Sequence, residues 1–335
     1  MHLIALGVVK KIVCGIWCNG RPPHKLSSRQ IENISAKLVE MSGYIPSEFS
    51  RQPRTLKESK RWKATEYRQF LIYTGPVVLK DIIEKQKYQN FLMLSVSIHL
   101  LLSLTDSNNV DVIDYAEALL RKFVETVQRL YGKQIMSHNF HNLLHLADDC
   151  RKFGSLENFS NFSSENFLQS LLKQVRKHDK PLQQIIRRNY ELNTNKIQFT
   201  PQNRNKEIPF QFCLEREYVG GVLIDDTTGP EFKKICFEKF ALSLSLKDSC
   251  CILKDKSIIE IKNIVYCPRL HQNVVIGSEY QSKSDFFNIP CNSSNLDIFL
   301  VENLSTLKYW PISDIALKCC RMPYNNKFVV APLLH

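Results

Sequence analysis

The sequence predicts an α+β protein, a mostly helical N-terminal region followed by a small β-rich sandwich or barrel domain. Three observations predict it. Apolar residues recur every three to four positions across residues 1–192, the spacing of one helix face. Short runs rich in β-branched and aromatic residues, divided by turn residues, follow from residue 210. Between the two lies a polar stretch carrying Pro201 and Pro209. The expected organisation is a helical part over 1–195, a linker over 196–209 and a β-rich domain over 210–335. A chain of 335 residues suffices for two such domains.

Taken in order, Leu3, Ile4, Val8, Ile12 and Ile16 mark one face of a first helix, ending near Asn19-Gly20 ahead of Pro22-Pro23. Ser27-Ser28 offers an N-cap for a helix to Met41, stopped by Ser42-Gly43. Residues 47–56, bordered by Pro46 and containing Pro53, read as an exposed connection. A helix from Lys63 carries Tyr67, Phe70 and Leu71 on one side, and Pro76 closes or kinks it. Helices over 88–104 and 110–131, then over 137–153, 164–177 and 181–192, complete the first region. Expected strands are 210–214, 219–224, 242–246, 250–253, 258–267, 273–278, 297–304, 307–311 and 328–331.

The net charge is +12, and it is unevenly spread. Residues 1–195 hold 28 Lys and Arg against 18 Asp and Glu, whereas 196–335 hold 17 against 15. A polyanion would therefore bind the helical half, unless the excess simply solvates the surface. The 11 cysteines are odd in number, include two adjacent pairs and follow no secretory signal. A reduced nuclear or cytoplasmic setting is expected rather than secretion. The most apolar run, 91–104, is too short to cross a bilayer, so no membrane partner is expected. The sequence contains no GxxxxGK[ST], GxSxG or GxGxxG, which disfavours nucleotide hydrolysis, serine hydrolysis and dinucleotide binding.

Three clusters of residues carry chemistry. On one helix His138, His141 and His145 fall at i, i+3 and i+7, so their imidazoles could converge on a metal, with Asp148 or Asp149 orienting one of them. The competing reading is packing within a helical core, since no Glu follows the first histidine and no CxxC lies nearby. Glu165, after Ser163-Ser164, sits in the first turn of a helix, where the dipole favours an acid with or without a catalytic role. It leads into a basic helix pair with Lys173, Arg176, Lys177, Lys180, Arg187 and Arg188. The third cluster is the strip 51–68, where Arg51, Arg54, Lys57, Lys60, Arg61, Lys63 and Arg68 meet only Glu58 and Glu66. Such a strip can neutralise phosphates, while Trp62 and Tyr67 anchor it to the protein or stack on unpaired bases. A solvated helix face is the alternative.

Four blocks of this chain resemble transposases of the CACTA (En/Spm-like) type and the transposase-domain proteins derived from them. They are Met1-His2-Leu3 with Leu6-Gly7-Val8-Val9-Lys10-Lys11; Arg54 to Leu71, with Lys63-Ala64-Thr65-Glu66 and Arg68; His141-Asn142-Leu143-Leu144-His145-Leu146-Ala147-Asp148-Asp149 through Glu165-Asn166; and 304–335, with Trp310-Pro311-Ile312 and Phe328-Val329-Val330-Ala331-Pro332-Leu333. The resemblance implies an RNase H-like core with a helical insertion and two Mg²⁺ ions held by carboxylates, driving phosphoryl transfer. Glu165 matches the last of those acids, and the first two have no match here. The expectation is a truncated, transposase-derived protein, incomplete as an RNase H-like core, that keeps DNA binding but lacks strand transfer on its own. The alternatives are a structural protein whose β domain docks a partner, and a metal-dependent hydrolase built on the three histidines.

Overall fold

A computed structural model describes residues 1–104, 110–160, 167–168, 171–197 and 212–334. The first region is helical and the second is an antiparallel sheet, as the α+β pattern predicts. Its opening helix is wide: two π-helical stretches, Leu3–Val9 and Lys11–Cys18, follow one another. Ile4, Ala5, Val8, Val9, Ile12, Val13 and Trp17 are its buried face. Helix α1 (Ser28–Met41) starts with a capping box, in which the Ser27 hydroxyl accepts from the Gln30 amide and the Gln30 side chain accepts from the Ser27 amide.

Residues 64–79 form one long helical run, α2 (Ala64–Gln69), a π turn (Phe70–Thr74) and α3 (Gly75–Leu79). Pro76 does not end it. It stands just after the π turn, where the regular i→i−4 ladder is already interrupted. Helices α4 (Lys85–Leu102) and α5 (Val110–Tyr131) pack together, with Phe91, Leu94, Ile98 and Leu101 facing Ile113, Leu120, Phe123 and Val127 in one buried cluster. The helix expected over 137–153 is broken into α6 (His138–Asn142), a 3₁₀ turn (Leu143–His145) and α7 (Leu146–Phe153). Helix α8 (Pro181–Ile197) runs through the start of the expected linker, the rest of which lies outside the described residues. No strand occurs among the described residues before Cys213, and the RNase H-like sheet is not seen.

Ten strands follow: β1 (Cys213–Tyr218), β2 (Thr228–Cys236), β3 (Ala241–Ser243), β4 (Cys250–Leu253), β5 (Ile258–Cys267), β6 (Gln272–Asp285), β7 (Phe299–Leu304), β8 (Lys308–Pro311), β9 (Ile315–Tyr324) and β10 (Lys327–Pro332). Their pairing closes a ring, β5-β4-β9-β10-β7-β6 and back to β5, so the domain is a six-stranded barrel. Cys250, Ile252, Ile258, Tyr280, Val301, Cys319 and Val330, from all six ring strands, form its interior. Strands β1, β2 and β3 extend from β5, and β8 pairs with β6. The extension covers a second buried cluster that includes Ile235, Leu242, Ile259 and Ile264. Long β5 is buried on both faces, which explains its nearly continuous apolar sequence.

Several expectations are corrected. Residues 219–224 form a loop instead of a strand, held by the Gly220 and Gly221 amides donating to Glu231. Strands β2 and β9 were not expected. Strand β2 opens with Thr228-Gly229-Pro230, and β9 carries Lys318 and Arg321. Residues 47–56 are no exposed connection either: Pro53 and Leu56 are buried, and Ser47 and Glu48 join the helical part to the barrel. One buried cluster runs across both parts, combining Leu79, Phe91 and Ile98 with Phe286, Met322 and Val329.

Candidate nucleic-acid interface

The strip at 51–68 folds around a 3₁₀ turn, Leu56–Arg61. In such a turn residues three apart eclipse one another. Leu56 and Ser59 therefore face inward and are buried, while Lys57 and Lys60 occupy the next row and are exposed. Arg61 and Lys63 flank Trp62 and are also exposed. Trp62 and Tyr67 are buried, their rings 5.3 Å apart, and the Tyr67 hydroxyl donates to the Ser59 carbonyl at 2.6 Å. Of the two roles open to these aromatics, they take the anchoring one.

The charges of the strip divide into two groups. Arg54 turns inward: its Nε meets Glu66 at 2.7 Å, its Nη1 meets Glu58 at 3.0 Å and its Nη2 donates to the Arg61 carbonyl at 3.1 Å. These hydrogen bonds to Glu66, with the nearby carboxylates, raise the Arg54 pKa. Arg68 is buried, 3.0 Å from Glu157 and 3.0 Å from the Leu334 carbonyl. Both acids of the strip are thus occupied by Arg54. Arg51, Lys57, Lys60, Arg61 and Lys63 stay on the surface, and among the described residues only Lys57 reaches an acid, Glu32 at 3.5 Å with both groups largely in water.

Two further cations lie in the loop after the opening helix, whose end packs on this turn. The end of the opening helix meets the 3₁₀ turn where Cys18 Sγ lies 3.8 Å from the Leu56 carbonyl. Burial chiefly raises the Cys18 thiol pKa, and Ser59 and Lys25 act in the opposite direction. Lys25 and Arg21, in the loop after this helix, are exposed. Some thirty residues of sequence separate them from the turn, so no local window links the two. A cavity of about 440 Å³ adjoins the same loop, lined by Lys11, Arg21, His24 and Tyr131 among others and by no acid.

The remaining expected residues are more scattered. Lys173, Arg176, Lys177 and Arg187 are exposed and Arg188 is half-buried; Arg187 pairs with Glu191 at 3.1 Å. Leu182, Ile186 and Tyr190 form an exposed apolar row on the same helix. His138 and His141 share α6 while His145 lies in the 3₁₀ turn after it, and the exposed His141 and His145 rings meet edge to face at 5.3 Å. Asp148 is bound by Arg151 at 2.7 Å, and Arg151 also holds Asp114 and Glu117. Glu165 lies outside the described residues. Among the described residues, the one group of three His, Cys, Asp or Glu side chains with ligand atoms mutually within 4.8 Å is Cys213, Glu215 and Cys236, in the barrel extension. Neither the histidines nor a set of carboxylates forms one, so the described residues do not fit a two-Mg²⁺ site.

Residues 217–333, from within β1 to just beyond β10, match the family described as Domain of unknown function (DUF8592). No curated protein and no solved structure matches the chain. No helix of the described residues is long and apolar enough to cross a membrane.

Proposed function

We propose that this is a transposase-derived protein that binds the phosphate backbone of DNA through the 3₁₀ turn and the adjoining loop. The observation that carries the reading is the sorting of charge. Arg54 occupies Glu58 and Glu66, leaving Lys57, Lys60, Arg61 and Lys63 outward, on a turn that packs against the end of the opening helix. The blocks that carry the transposase resemblance also pack together, which supports treating them as one unit. Helix α2 packs on the opening helix, and Arg68 pairs with Glu157 and reaches the Leu334 carbonyl. The proposed role is binding, with Mg²⁺ chemistry left to a carboxylate set that the described residues do not assemble.

Fluorescence anisotropy of labelled duplex DNA at rising salt tests it. Each phosphate contact contributes about 0.9 to the slope of log K against log salt. Replacing Lys57, Lys60, Arg61 and Lys63 together by Ala should lower that slope by about 3 to 4 and leave a Lys239→Ala control unchanged. Affinity that is absent, or indifferent to salt, refutes the proposal. A second reading, a protein-docking barrel, is favoured by the loop after β1, where Val219 is 93% exposed and Val222 and Leu223 are also exposed.

A further inference from the structure

We infer that the barrel extension holds a thiolate-rich metal site, selective for a borderline divalent cation such as Zn²⁺, at Cys213, Glu215 and Cys236. The strand register builds it. Cys213 is the direct partner of Cys236 in the β1–β2 ladder, and Glu215 is the partner of Lys234. Residues two apart on a strand share a face, so Cys213 and Glu215 on β1 point the same way as Cys236 and Lys234 on β2. The two sulfurs and one carboxylate oxygen all lie within 4.8 Å of one another. A contraction of that triangle, within the rotamer freedom of three side chains at the open end of a hairpin, brings all three to a metal. Zn–S bonds near 2.3 Å and Zn–O bonds near 2.1 Å are what it requires.

The donor set decides the class of metal. Two thiolates exclude Mg²⁺ and Ca²⁺, which take oxygen ligands, and favour Zn²⁺ among the available divalent ions. Three protein ligands leave a fourth tetrahedral position for water or another ligand. Charge balance also favours the site. A divalent ion with two thiolates and a carboxylate carries one net negative charge, and Lys234 Nζ already stands 2.8 Å from Glu215. Lys234 thus supplies the compensating cation and fixes the carboxylate that would bind. Both thiols are free, and Cys213 is exposed, so an ion reaches them from solvent. Seven of the other nine cysteines are buried, and Cys18 and Cys291 are half-buried and outside any such group. Binding displaces a proton from each thiol that is neutral beforehand, so affinity falls as pH falls.

The test uses the full chain, reduced and stripped of metal by a chelator, titrated with Co²⁺ and then Zn²⁺. The expected result is a thiolate-to-cobalt charge-transfer band that saturates near one equivalent and is abolished by Zn²⁺. Cys213→Ser and Cys236→Ser should each remove it, and Lys234→Met should weaken binding about tenfold. Mass-spectrometric mapping of alkylation on the wild-type chain is the second measurement, with Zn²⁺ selectively protecting Cys213 and Cys236. No band in the wild type, a band that survives both serine variants, or a Cys213–Cys236 disulfide that persists in reductant overturns the inference.

Discussion

Replacing Lys318 by Met should loosen the junction between helices and barrel. Lys318 lies on β9 with its side chain fully buried, yet it is completely paired. Its ammonium meets Glu48 at 2.9 and 2.7 Å, Asp248 at 2.6 Å and the Ala241 carbonyl at 2.6 Å. Asp248 also accepts from the Ser47 amide at 2.9 Å, and Glu48 accepts from the Ala241 amide at 3.1 Å. Burial alone would raise the Asp248 pKa, but Lys318 and Ser47 outweigh it and hold the carboxyl below its usual range. Removing the cation leaves two partly buried carboxylates facing each other. Breaking a buried pair in this way costs roughly 3–5 kcal/mol. The lower end applies, because 18% of the Glu48 side chain remains in water.

That cost gives distinguishable outcomes in a melting experiment. Unfolding entropy is about 2.1 cal/mol/K per residue, so roughly 3 kcal/mol lowers Tm by about 4 °C if the whole chain melts as one unit. It lowers Tm by about 12 °C if the barrel melts alone. The shared core predicts the smaller value. Adding Asp248→Asn and Glu48→Gln to Lys318→Met should restore at least half of the loss, since the remaining groups are then neutral. A single-variant shift below about 1 °C, or no restoration by the triple variant, refutes the charge argument.

Other expectations concern buried groups elsewhere. Burial lowers the His99 pKa to about 4, so the ring is neutral in the fold. Its contribution is full above the unfolded value near 6.5 and is lost as pH falls toward 4, an effect of about 3 kcal/mol. Urea titrations at pH 7 and pH 4.5 should show that loss in the wild type and much less of it in His99→Gln. Gly277 lies where β6 crosses β5, and a Cβ there would stand 2.4 Å from the Glu260 carbonyl. Gly277→Ala should therefore destabilise the barrel by more than about 1 kcal/mol, and an unchanged denaturation midpoint would contradict the close packing. Arg321 and Glu260 form a second buried pair, 2.5 Å apart inside the barrel, with Tyr280 donated to at 3.0 Å. Arg321→Leu should cost as much as Lys318→Met, and pairing it with Glu260→Leu should recover part of the cost.

These buried cations also explain what the sequence concealed. Apolar periodicity revealed α4, α5, β4 and β5, because most apolar residues there are buried for one reason, contact with their neighbours. Strand β9 escaped because Lys318 and Arg321 interrupt its pattern, and a charged residue normally marks a surface. The acids that neutralise them, Glu48, Asp248 and Glu260, are distant in sequence, so no local window reveals the pairing. The loop at 219–224 resembles a strand in sequence for the converse reason. Its valines are β-formers, but Gly220, at φ 95°, and Glu231 fold it back instead. The candidate interface was only half legible. The strip was visible as a run of charge, whereas the packing of the opening helix's end on it spans the sequence between Cys18 and Leu56. The cross-strand set of Cys213, Glu215 and Cys236 needed the register of two strands, one of which the sequence did not announce.

A crossed experiment separates charges that build this protein from charges that face a ligand. Arg54 and Lys60 are six positions apart and look alike in the sequence. Arg54 is held by two carboxylates, one of them on Glu66, whose side chain is only 4% exposed. Arg54→Ala should cost about 2 kcal/mol of stability, because it leaves that buried acid with the Lys63 amide but without its counter-charge, while changing the salt slope of DNA binding little beyond what misfolding removes. Lys60 is exposed and makes no ion pair among the described residues. Lys60→Ala should leave the denaturation midpoint in place and reduce the slope by about 1. If both variants alter the slope equally at full folding, Arg54 is available to phosphate and the sorting of charge is wrong. If neither does, the row around the 3₁₀ turn is a solvated face, and the basic excess of the helical half has some other use.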